Sequence, residues 1–415
     1  MMKPISLSLW LCAIAATALP AFAGEGRSLQ IYVSKASQSL VVYDGDEVVA
    51  TSRVSTGKAG HSTPSGIFSI LQKQKYHESN IYSDAPMPWM QRLTWSGIAL
   101  HESNSVPRYP ASHGCVRLPA KFARSLYGMT DRGAHVIITD TDVTPQPIYS
   151  STLFQPEVTA PEGTALSDAQ LRPTSIQANG SIVEIAMAKP LPPAPAPAAP
   201  AKLTREAPLR ILITRRGTRE TVRDLQEMLT ELGFDAGTPD GALGPRTLSA
   251  IAGYKRWKAL PAKGPVITDA LVEMLYKSAG RNAPPSGQLM VRQNFKPILE
   301  GAVDIAEAER PLGTHFIEAT DVDRMAGTAK WHAVTLDNNI GKSARARLAI
   351  DKDLQPGTAE EALARVTVPD ELRHKIALLL DAGSSITITD VADPRETGAG
   401  TDFITITHAS PRNGG

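Results

Sequence analysis

Cysteine is almost absent from this 415-residue sequence, which contains only Cys12 and Cys115. Cys12 lies in an apolar N-terminal stretch that we expect to be removed, so the mature chain would keep one thiol and could form no internal disulfide. A lone thiol is a liability in an oxidising compartment. Cys115 is therefore either buried and inert or retained because its reactivity is used.

An excess of one charge is also lacking, because 43 Lys and Arg residues balance 42 Asp and Glu residues. This balance argues against a bulk electrostatic attraction to nucleic acid or acidic lipid, so we expect no nucleic-acid partner. The sequence contains no phosphate loop, nucleotide fingerprint or zinc motif, and its histidines lack metal-ligand spacing. We therefore expect neither a cofactor nor a metal.

Long apolar runs are missing except at the N-terminus. There, Lys3 precedes the apolar residues 5–19, and Ala21-Phe22-Ala23 forms a small-x-small cleavage site. A membrane anchor is the alternative, but Pro20 ends the stretch, which is short for a bilayer span of about 20 residues. We predict a signal peptide over residues 1–23 and an exported mature chain without a transmembrane segment, in the periplasm or cell envelope.

The length of the chain predicts two or three domains. Residues 28–141 have a strand-rich pattern, residues 215–278 show the apolar periodicity of three helices, and residues 288–408 return to strands. Residues 142–208 lose periodicity and include a run of Pro and Ala at 189–202, which predicts an extended linker. The expected fold is multidomain: a β-rich first domain, a small all-α module and a C-terminal β-rich (α+β) domain.

An internal repeat links the two strand-rich regions. Residues 119–140 match residues 369–390 without gaps at an offset of 250, and Ile138-Thr139-Asp140 recurs as Ile388-Thr389-Asp390. Two looser echoes occur upstream in the same order, one of Pro64–Phe68 in Pro311–Phe316 and one of Trp95 in Trp331. Self-similarity of this kind predicts a duplicated domain.

The C-terminal copy lacks reactive groups in this register. Residues 112–115 fall on Ala362-Leu363-Ala364-Arg365, and alignment of the two tryptophans places His101 on Asp337. We predict that residues 288–408 form a catalytically inactive copy.

Side chains that could take part in catalysis are concentrated in two short segments, residues 100–103 and 112–117. They supply one thiol, two imidazoles and one guanidinium, those of Cys115, His101, His113 and Arg117. A thiol with a pKa of about 8.5 needs a nearby imidazole or cation to become a nucleophile near neutral pH. Gly114 lets the main chain approach a reacting carbonyl, which suits an oxyanion site built from N–H groups. The alternative is a buried structural cysteine beside unrelated histidines.

The order Ser112-His113-Gly114-Cys115 with His101 upstream resembles the signature of the L,D-transpeptidase catalytic domain, the YkuD-like fold. The resemblance covers residues 29–140 and includes further landmarks, namely Thr56-Gly57, Thr63–Phe68, Pro88–Met90 and Gly97–His101.

This resemblance implies a role for each matching residue. Cys115 would be the nucleophile, and His101 would activate it and later protonate the leaving amine. Ser112, His113 and Gly114 would shape the thiolate and the oxyanion site. Arg117 would either hold a substrate carboxylate as a two-pronged donor or be structural.

Residues 218–276 resemble the small three-helix peptidoglycan-binding module, with Leu225-Gln226, Asp240-Gly241 and Gly244-Pro245 in the order of that family. The alternative is a plain helical spacer, because the apolar helix faces are core residues in either case.

Together the resemblances imply an exported peptidoglycan L,D-transpeptidase that acts in cell-wall organisation and cell shape. It would form an acyl-thioester on Cys115 with a stem peptide and transfer the acyl group to an amine acceptor. With water as the acceptor, the same site would be an L,D-carboxypeptidase or amidase-type hydrolase; a wall-binding scaffold is the third alternative. Peptidoglycan stem peptides and glycan are the expected partners, with protein amines as further candidate acceptors.

Overall fold

The computed structural model describes residues 29–79, 84–158, 207–338, 340–392 and 401–408. The predicted signal peptide and the Pro/Ala run at 189–202 lie outside these residues. Among the described residues, no helix has both the length and the apolar character that crossing a membrane requires.

The first domain is rich in strands, as expected. Its elements are β1 (Leu29–Ser34), β2 (Ser39–Asp44), β3 (Glu47–Arg53), β4 (Ser65–Ser69), β5 (Gln72–Gln74), β6 (Met90–Arg92), β7 (Ala99–Glu102), β8 (Val116–Leu118), α1 (Ala120–Met129) and β9 (His135–Thr139). They form one sheet containing β4-β9-β1-β2-β3 in that order and a smaller sheet ordered β5-β6-β7-β8. The core lies between them, where alternate strand residues such as Ile31 and Val33 meet Leu126 of α1.

The remainder of the chain contains a second, larger sheet and a helical module. Its elements are β10 (Gln146–Ile148), β11 (Arg210–Arg215), α2 (Thr218–Glu231), α3 (Pro245–Trp257), α4 (Asp269–Ser278), β12 (Gly287–Gln293), β13 (Lys296–Ile305), β14 (Thr314–Asp323), β15 (Thr328–Leu336), α5 (Lys342–Arg347), α6 (Ala359–Ala364), β16 (Val366–Thr367), α7 (Asp370–Leu379), β17 (Ser385–Thr389) and β18 (Thr405–His408).

The helical module has the three predicted helices. Gly233 follows α2 at a φ of +87°, a left-handed conformation that favours glycine, and the chain turns there. Pro245 occupies the first turn of α3, and the Thr268 hydroxyl caps α4 by accepting a hydrogen bond from the Leu271 N–H at 3.2 Å. The helices enclose their own apolar core, which centres on the buried Tyr254.

The predicted duplication is confirmed by the positions of equivalent elements. Helices α1 and α7, and strands β9 and β17, begin and end at residues 250 apart. In the first sheet β1 pairs antiparallel with β2 and parallel with β9. In the second sheet β11 pairs antiparallel with β12 and parallel with β17. The two copies therefore share strand order as well as sequence.

The expected boundaries of the second copy need correction. The sequence placed its start at residue 288, but β11, at residues 210–215, is the counterpart of β1. The helical module is inserted between β11 and β12, the counterparts of a tight hairpin in the first copy. This insertion separates β11 from the rest of its copy, which is why the ungapped comparison did not include it.

The predicted linker at 142–208 also differs from the structure at its beginning. Residues 146–148 form β10, which pairs antiparallel with β15 of the second copy. The Trp331 indole N–H donates to the Phe154 carbonyl at 3.1 Å, and Phe154 is buried. The segment that follows β9 is therefore bound to the second sheet by strand pairing and by this hydrogen bond.

Each copy completes the sheet of the other. β10 follows the first copy but forms the edge of the second sheet, whereas β18 follows the second copy and pairs antiparallel with β4 of the first. An unpaired sheet edge exposes a row of main-chain hydrogen-bonding groups, so each added strand satisfies such groups at the edge of the copy with which it pairs.

Polar side chains buried between the copies fix their relative position. The His135 Nε2 lies 3.0 Å from the hydroxyl of Ser385, the equivalent residue of the other copy. The Asp402 carboxylate accepts hydrogen bonds from the Ser69 hydroxyl at 2.7 Å and the Arg210 Nε at 3.0 Å. An apolar contact surrounds them, formed by Tyr32, Tyr43, Ile67, Ile137, Phe316, Val334 and Leu336.

The variant Asp402→Ala should destabilise the first copy as well as the C-terminal one. It removes the carboxylate from a buried ion pair, and such a loss costs about 3–5 kcal/mol because the partner charge stays buried. Urea unfolding, followed together with the exposure of Cys115 to a thiol reagent, measures the effect. Asp304→Asn, which changes an exposed carboxylate of β13, is the matched control. Unchanged stability of Asp402→Ala would contradict the coupling of the two copies.

Candidate active site

The smaller sheet places the predicted site residues on one face. β7 and β8 run parallel with His101 opposite Arg117, and β6 and β7 run antiparallel with Arg92 opposite Ala99. Cys115 immediately precedes β8, two residues before Arg117. Since strand side chains alternate between faces, the side chains of Arg92, His101, Cys115 and Arg117 share one face. The structure thus brings Arg92 and His101, which are distant from Cys115 in the sequence, onto the same sheet face as Cys115 and Arg117.

The Cys115 thiol lies in a partly buried, largely apolar setting. Its side chain packs near Met87, Met90 and Ala99, and the thiol donates to the Gly97 carbonyl at 3.4 Å. Burial raises the pKa of the Cys115 thiol, while the main-chain N–H of Ala99 and the cations Arg92 and Arg117 act in the opposite direction. At neutral pH Cys115 is therefore a thiol in the resting site.

His101 carries a buried, neutral imidazole. Its side chain is 9% exposed, and burial lowers its pKa to about 4; the nearby Arg117 lowers it further, and the bond to Glu102 opposes the shift. The Nδ1 lies 2.8 Å from the Glu102 carbonyl oxygen. Because a carbonyl only accepts, the hydrogen-bond network assigns the proton to Nδ1 and leaves Nε2 as an acceptor. His101 thus has the tautomer that a proton acceptor needs.

Ser112 and Gly114 shape the loop before Cys115. The Ser112 hydroxyl donates to the Cys115 carbonyl and accepts from the Gly114 N–H at 3.1 Å. Gly114 has a φ of +119°, and a Cβ there would lie 3.0 Å from the Ile98 Cδ1, so a side chain at this position is disfavoured twice. The Gly114 N–H is bonded to Ser112, so its contribution to the site is conformational.

His113 differs from His101 in its surroundings. It is exposed, and its ring makes an edge contact with the ring of His61 at a centroid distance of 4.8 Å. Its pKa is lowered by partial loss of solvent and by the cations around it, Lys58 first. The structure places His113 at the rim of the site, where it can contact a substrate from the solvent side.

Arg117 is half-buried, and its main chain ties β8 to the strand end at Ser55. The Ser55 N–H donates to the Arg117 carbonyl at 3.1 Å, and the Arg117 N–H donates back at 3.0 Å. Its side chain shares the face of the thiol, as the candidate role in holding a carboxylate requires.

Arg92 is a site residue that the sequence reasoning missed. Its Nε donates to the Gln72 side-chain oxygen at 3.0 Å, its Nη2 lies 3.2 Å from the His77 Nε2, and its guanidinium lies 5.9 Å from the Trp95 ring centre. This bracing holds a cation on the face of the thiol. No local motif marks Arg92, and only the pairing of β6 with β7 would have identified it.

The equivalent position of the second copy contains no nucleophile. Arg365 takes the place of Cys115, and its buried guanidinium donates to four main-chain carbonyls, those of Ala306, Glu307, Arg310 and Pro311. A side chain that donates hydrogen bonds to four main-chain carbonyls has a structural role. Within the described residues, no group of three or more His, Cys, Asp or Glu side chains could hold a metal ion.

Comparison with known families agrees with this geometry. Residues 28–138 match the family model YkuD, described as the L,D-transpeptidase catalytic domain. Residues 218–266 match a second model, named for peptidoglycan binding. Both matches are to domains associated with peptidoglycan and point to a cell-envelope location.

Solved structures similar to this chain include L,D-transpeptidases from Mycobacterium smegmatis and Stackebrandtia nassauensis. The first is 23% identical with a TM-score of 0.26, over 28% of this chain and 59% of that one. The second is 26% identical with a TM-score of 0.26, over 30% of this chain and 62% of that one. The aligned region thus spans about three fifths of these relatives. A comparison with curated proteins gave no match.

The protonation state of the Cys115 thiol can be tested by alkylation. With a raised pKa, the rate of Cys115 alkylation by iodoacetamide should rise about tenfold per pH unit between pH 6 and 8, because the thiolate fraction does. Removal of the nearby cation in Arg92→Met should slow alkylation at pH 8 by a factor on the order of 3 to 10.

Arg124→Met is the control, because Arg124 also lies over a tryptophan, 5.5 Å from the Trp89 ring centre, but on the exposed side of α1. A plateau in the alkylation rate below pH 8 would contradict the neutral resting pair and indicate a thiolate–imidazolium pair.

Proposed function

We propose that this protein is an exported peptidoglycan L,D-transpeptidase that uses Cys115 as its nucleophile and His101 as its base. The observation that carries the proposal is the placement of a neutral imidazole, with its Nδ1 proton bound to the Glu102 carbonyl, on the same sheet face as the thiol. The match of this segment to the L,D-transpeptidase catalytic domain supports the reaction class.

The first half-reaction begins from a neutral pair. Sγ of Cys115 attacks the carbonyl that joins an L-centred to a D-centred residue of a stem peptide, and its proton moves to Nε2 of His101. A C–S bond forms, the C–N bond breaks, and the imidazolium returns the proton to the leaving D-amino acid. Because burial lowers the pKa of His101 to about 4, its protonated form is a stronger acid than an ordinary imidazolium and readily returns the proton to the leaving amine.

The second half-reaction transfers the acyl group to an amine. The acceptor amine loses a proton to Nε2 of His101 as it attacks the thioester, and the released Cys115 sulfur takes that proton back. Main-chain N–H groups at the nucleophile, that of Cys115 foremost, are the candidate oxyanion donors. A transferase must favour the amine over water, so the substrate has to cover the site; His113 at the rim suits this contact.

Arg117 and Arg92 flank the thiol on the same face. Both lower the pKa of Cys115, and either guanidinium could pair with the carboxylate that ends a stem peptide. The two cations would therefore both lower the pKa of the nucleophile and bind the substrate carboxylate.

Substitution of the nucleophile and the base tests the proposal. Cys115→Ala should abolish turnover of purified muropeptides, and His101→Ala should reduce it at least about a thousandfold, because base and nucleophile act as one unit. Mass analysis of the products separates cross-linked or exchanged peptides from trimmed stems, which would indicate a hydrolase.

His374→Ala is the matched control, since this exposed histidine of the inactive copy contacts Glu157 and lies outside the catalytic domain. Substantial turnover by Cys115→Ala would reject the cysteine mechanism. Near-normal turnover by His101→Ala would reject the assignment of the base.

A carbapenem should acylate the chain once, at Cys115, because the strained lactam carbonyl occupies the position of the scissile carbonyl. Intact-mass measurement should show one adduct per chain and none with Cys115→Ala. An adduct that persists in Cys115→Ala would place the reactive group elsewhere.

A further inference from the structure

A cleft lies between the helical module and the sheet of the inactive copy. Its volume is about 440 Å³, within the range of small-molecule and peptide sites, roughly 300–1,000 Å³. Helices α2 and α4 form one wall, and strands β12 and β13 form the other. None of the residues placed around Cys115 lines this cleft, so the two sites are distinct.

The floor of the cleft contains an unsatisfied amide. Gln288 lines the cleft and is 2% exposed, yet among the described residues neither its side-chain nitrogen nor its oxygen has a hydrogen-bond partner. Its neighbour in the sheet, Thr214, has a buried hydroxyl in the same condition. Burial of an unbonded polar group costs about 1–3 kcal/mol. If the Gln288 side chain turns toward the cleft that it lines, a ligand that offers one acceptor and one donor, as a peptide bond does, would satisfy its amide.

Part of the cleft is rigid. The Asp224 carboxylate pairs with Arg216 at 2.8 Å and accepts the hydroxyl hydrogen of Tyr276. Both side chains of the ion pair are largely buried, and Tyr276 is 7% exposed. This group is neutral overall and fixes the shape of the wall without presenting a free charge or an open aromatic face.

The rim, in contrast, contains exposed ion pairs whose charged groups of either sign could instead pair with a ligand. Arg223 pairs with Glu300, and Arg281 pairs with Glu231 at 2.5 Å, in contacts where each side chain keeps 29% or more of its surface exposed. Exposed pairs of this kind contribute only about 0–1 kcal/mol, so a ligand can replace them at little cost. The guanidinium groups of the rim could pair with carboxylates of a ligand, and Glu227 and Glu300 could pair with an ammonium group of the ligand.

We propose that this cleft binds the peptide stem of peptidoglycan, as a second and noncatalytic site. The amide floor would hold the peptide main chain, and the rim would hold carboxylate and ammonium groups. A stem peptide combines all three. A glycan strand fits less well, because the aromatic side chain of the cleft is buried and its hydroxyl is engaged. The proposal rests on the proposed function, since it takes peptidoglycan as the substrate.

The site would explain why the helical module is inserted into the inactive copy. Gln288 and Glu300 belong to the sheet, whereas Arg223 and Glu227 belong to the module, so neither part contains the whole cleft. The inactive copy would then hold wall peptides while the active copy modifies them.

Hydrogen–deuterium exchange of the full chain tests the proposal. In Cys115→Ala, which cannot turn over substrate, a purified stem tetrapeptide should protect residues 216–231 and 287–302 as well as the segment around residue 115. Gln288→Leu and Arg281→Ala should each weaken the protection at the cleft about tenfold in peptide concentration, the loss of one hydrogen bond or ion contact of about 1.4 kcal/mol. Arg246→Ala, an exposed ion-paired arginine of the module outside the cleft, should have no effect.

Protection around residue 115 alone, or protection of the cleft that none of the variants changes, would overturn the proposal. Protection of the cleft by glycan strands without stems, but not by the tetrapeptide, would overturn it as well. Muropeptide turnover by the wild-type chain is measured separately, so a failure of the catalytic proposal is a distinct result. Arg281 is exposed, and its replacement keeps the test valid even if Gln288→Leu alters folding.

Discussion

The parallel pairing of β7 with β8 is the constraint on which the chemistry depends. In its observed register, His101 lies opposite Arg117, and the alternation of side chains then puts the Cys115 thiol and the imidazole on one face. A slip of one residue would send the thiol to the opposite face of the sheet. The register is fixed from both sides, because β6 pairs with β7 and Ser55 binds the main chain of Arg117. Burial on this face raises the pKa of the Cys115 thiol and lowers that of the His101 imidazole, so both groups are neutral at rest.

The two copies use the same place in the fold for different purposes. In the first copy the position before the short strand β8 holds a thiol, and in the second it holds Arg365, whose guanidinium fastens four carbonyls. A fold thus carries chemistry only through the side chains placed on it. The second copy is joined to the first through the exchanged strands β10 and β18 and the buried Asp402. It is a structural part of the protein as well as a candidate binding surface.

Sequence reasoning predicted features that depend on neighbouring residues. The Cys115 and His101 segments, the three helices, and the α7–β17 unit of the second copy are encoded within short stretches, and each was found. The missed features depend on long-range pairing: β11 belongs to a sheet whose next strand follows the inserted module, and β10 and β18 cross between copies. Arg92 joins the site only through strand pairing. The hydrogen bond from the Gly114 N–H to Ser112 could not be predicted either, because a glycine at this position is compatible with both an oxyanion donor and a purely conformational role.

The most direct test of the account is observation of the acyl-enzyme. The wild-type chain is mixed with a disaccharide tetrapeptide without acceptor amine, quenched in acid within the first turnovers, and analysed by intact mass and peptide mapping. The account predicts one added acyl group per chain, minus the terminal D-amino acid, on the peptide that contains Cys115, and its loss when an acceptor amine is added. Product formation with Cys115 unmodified at every time point, or an acyl group on another residue, would contradict it.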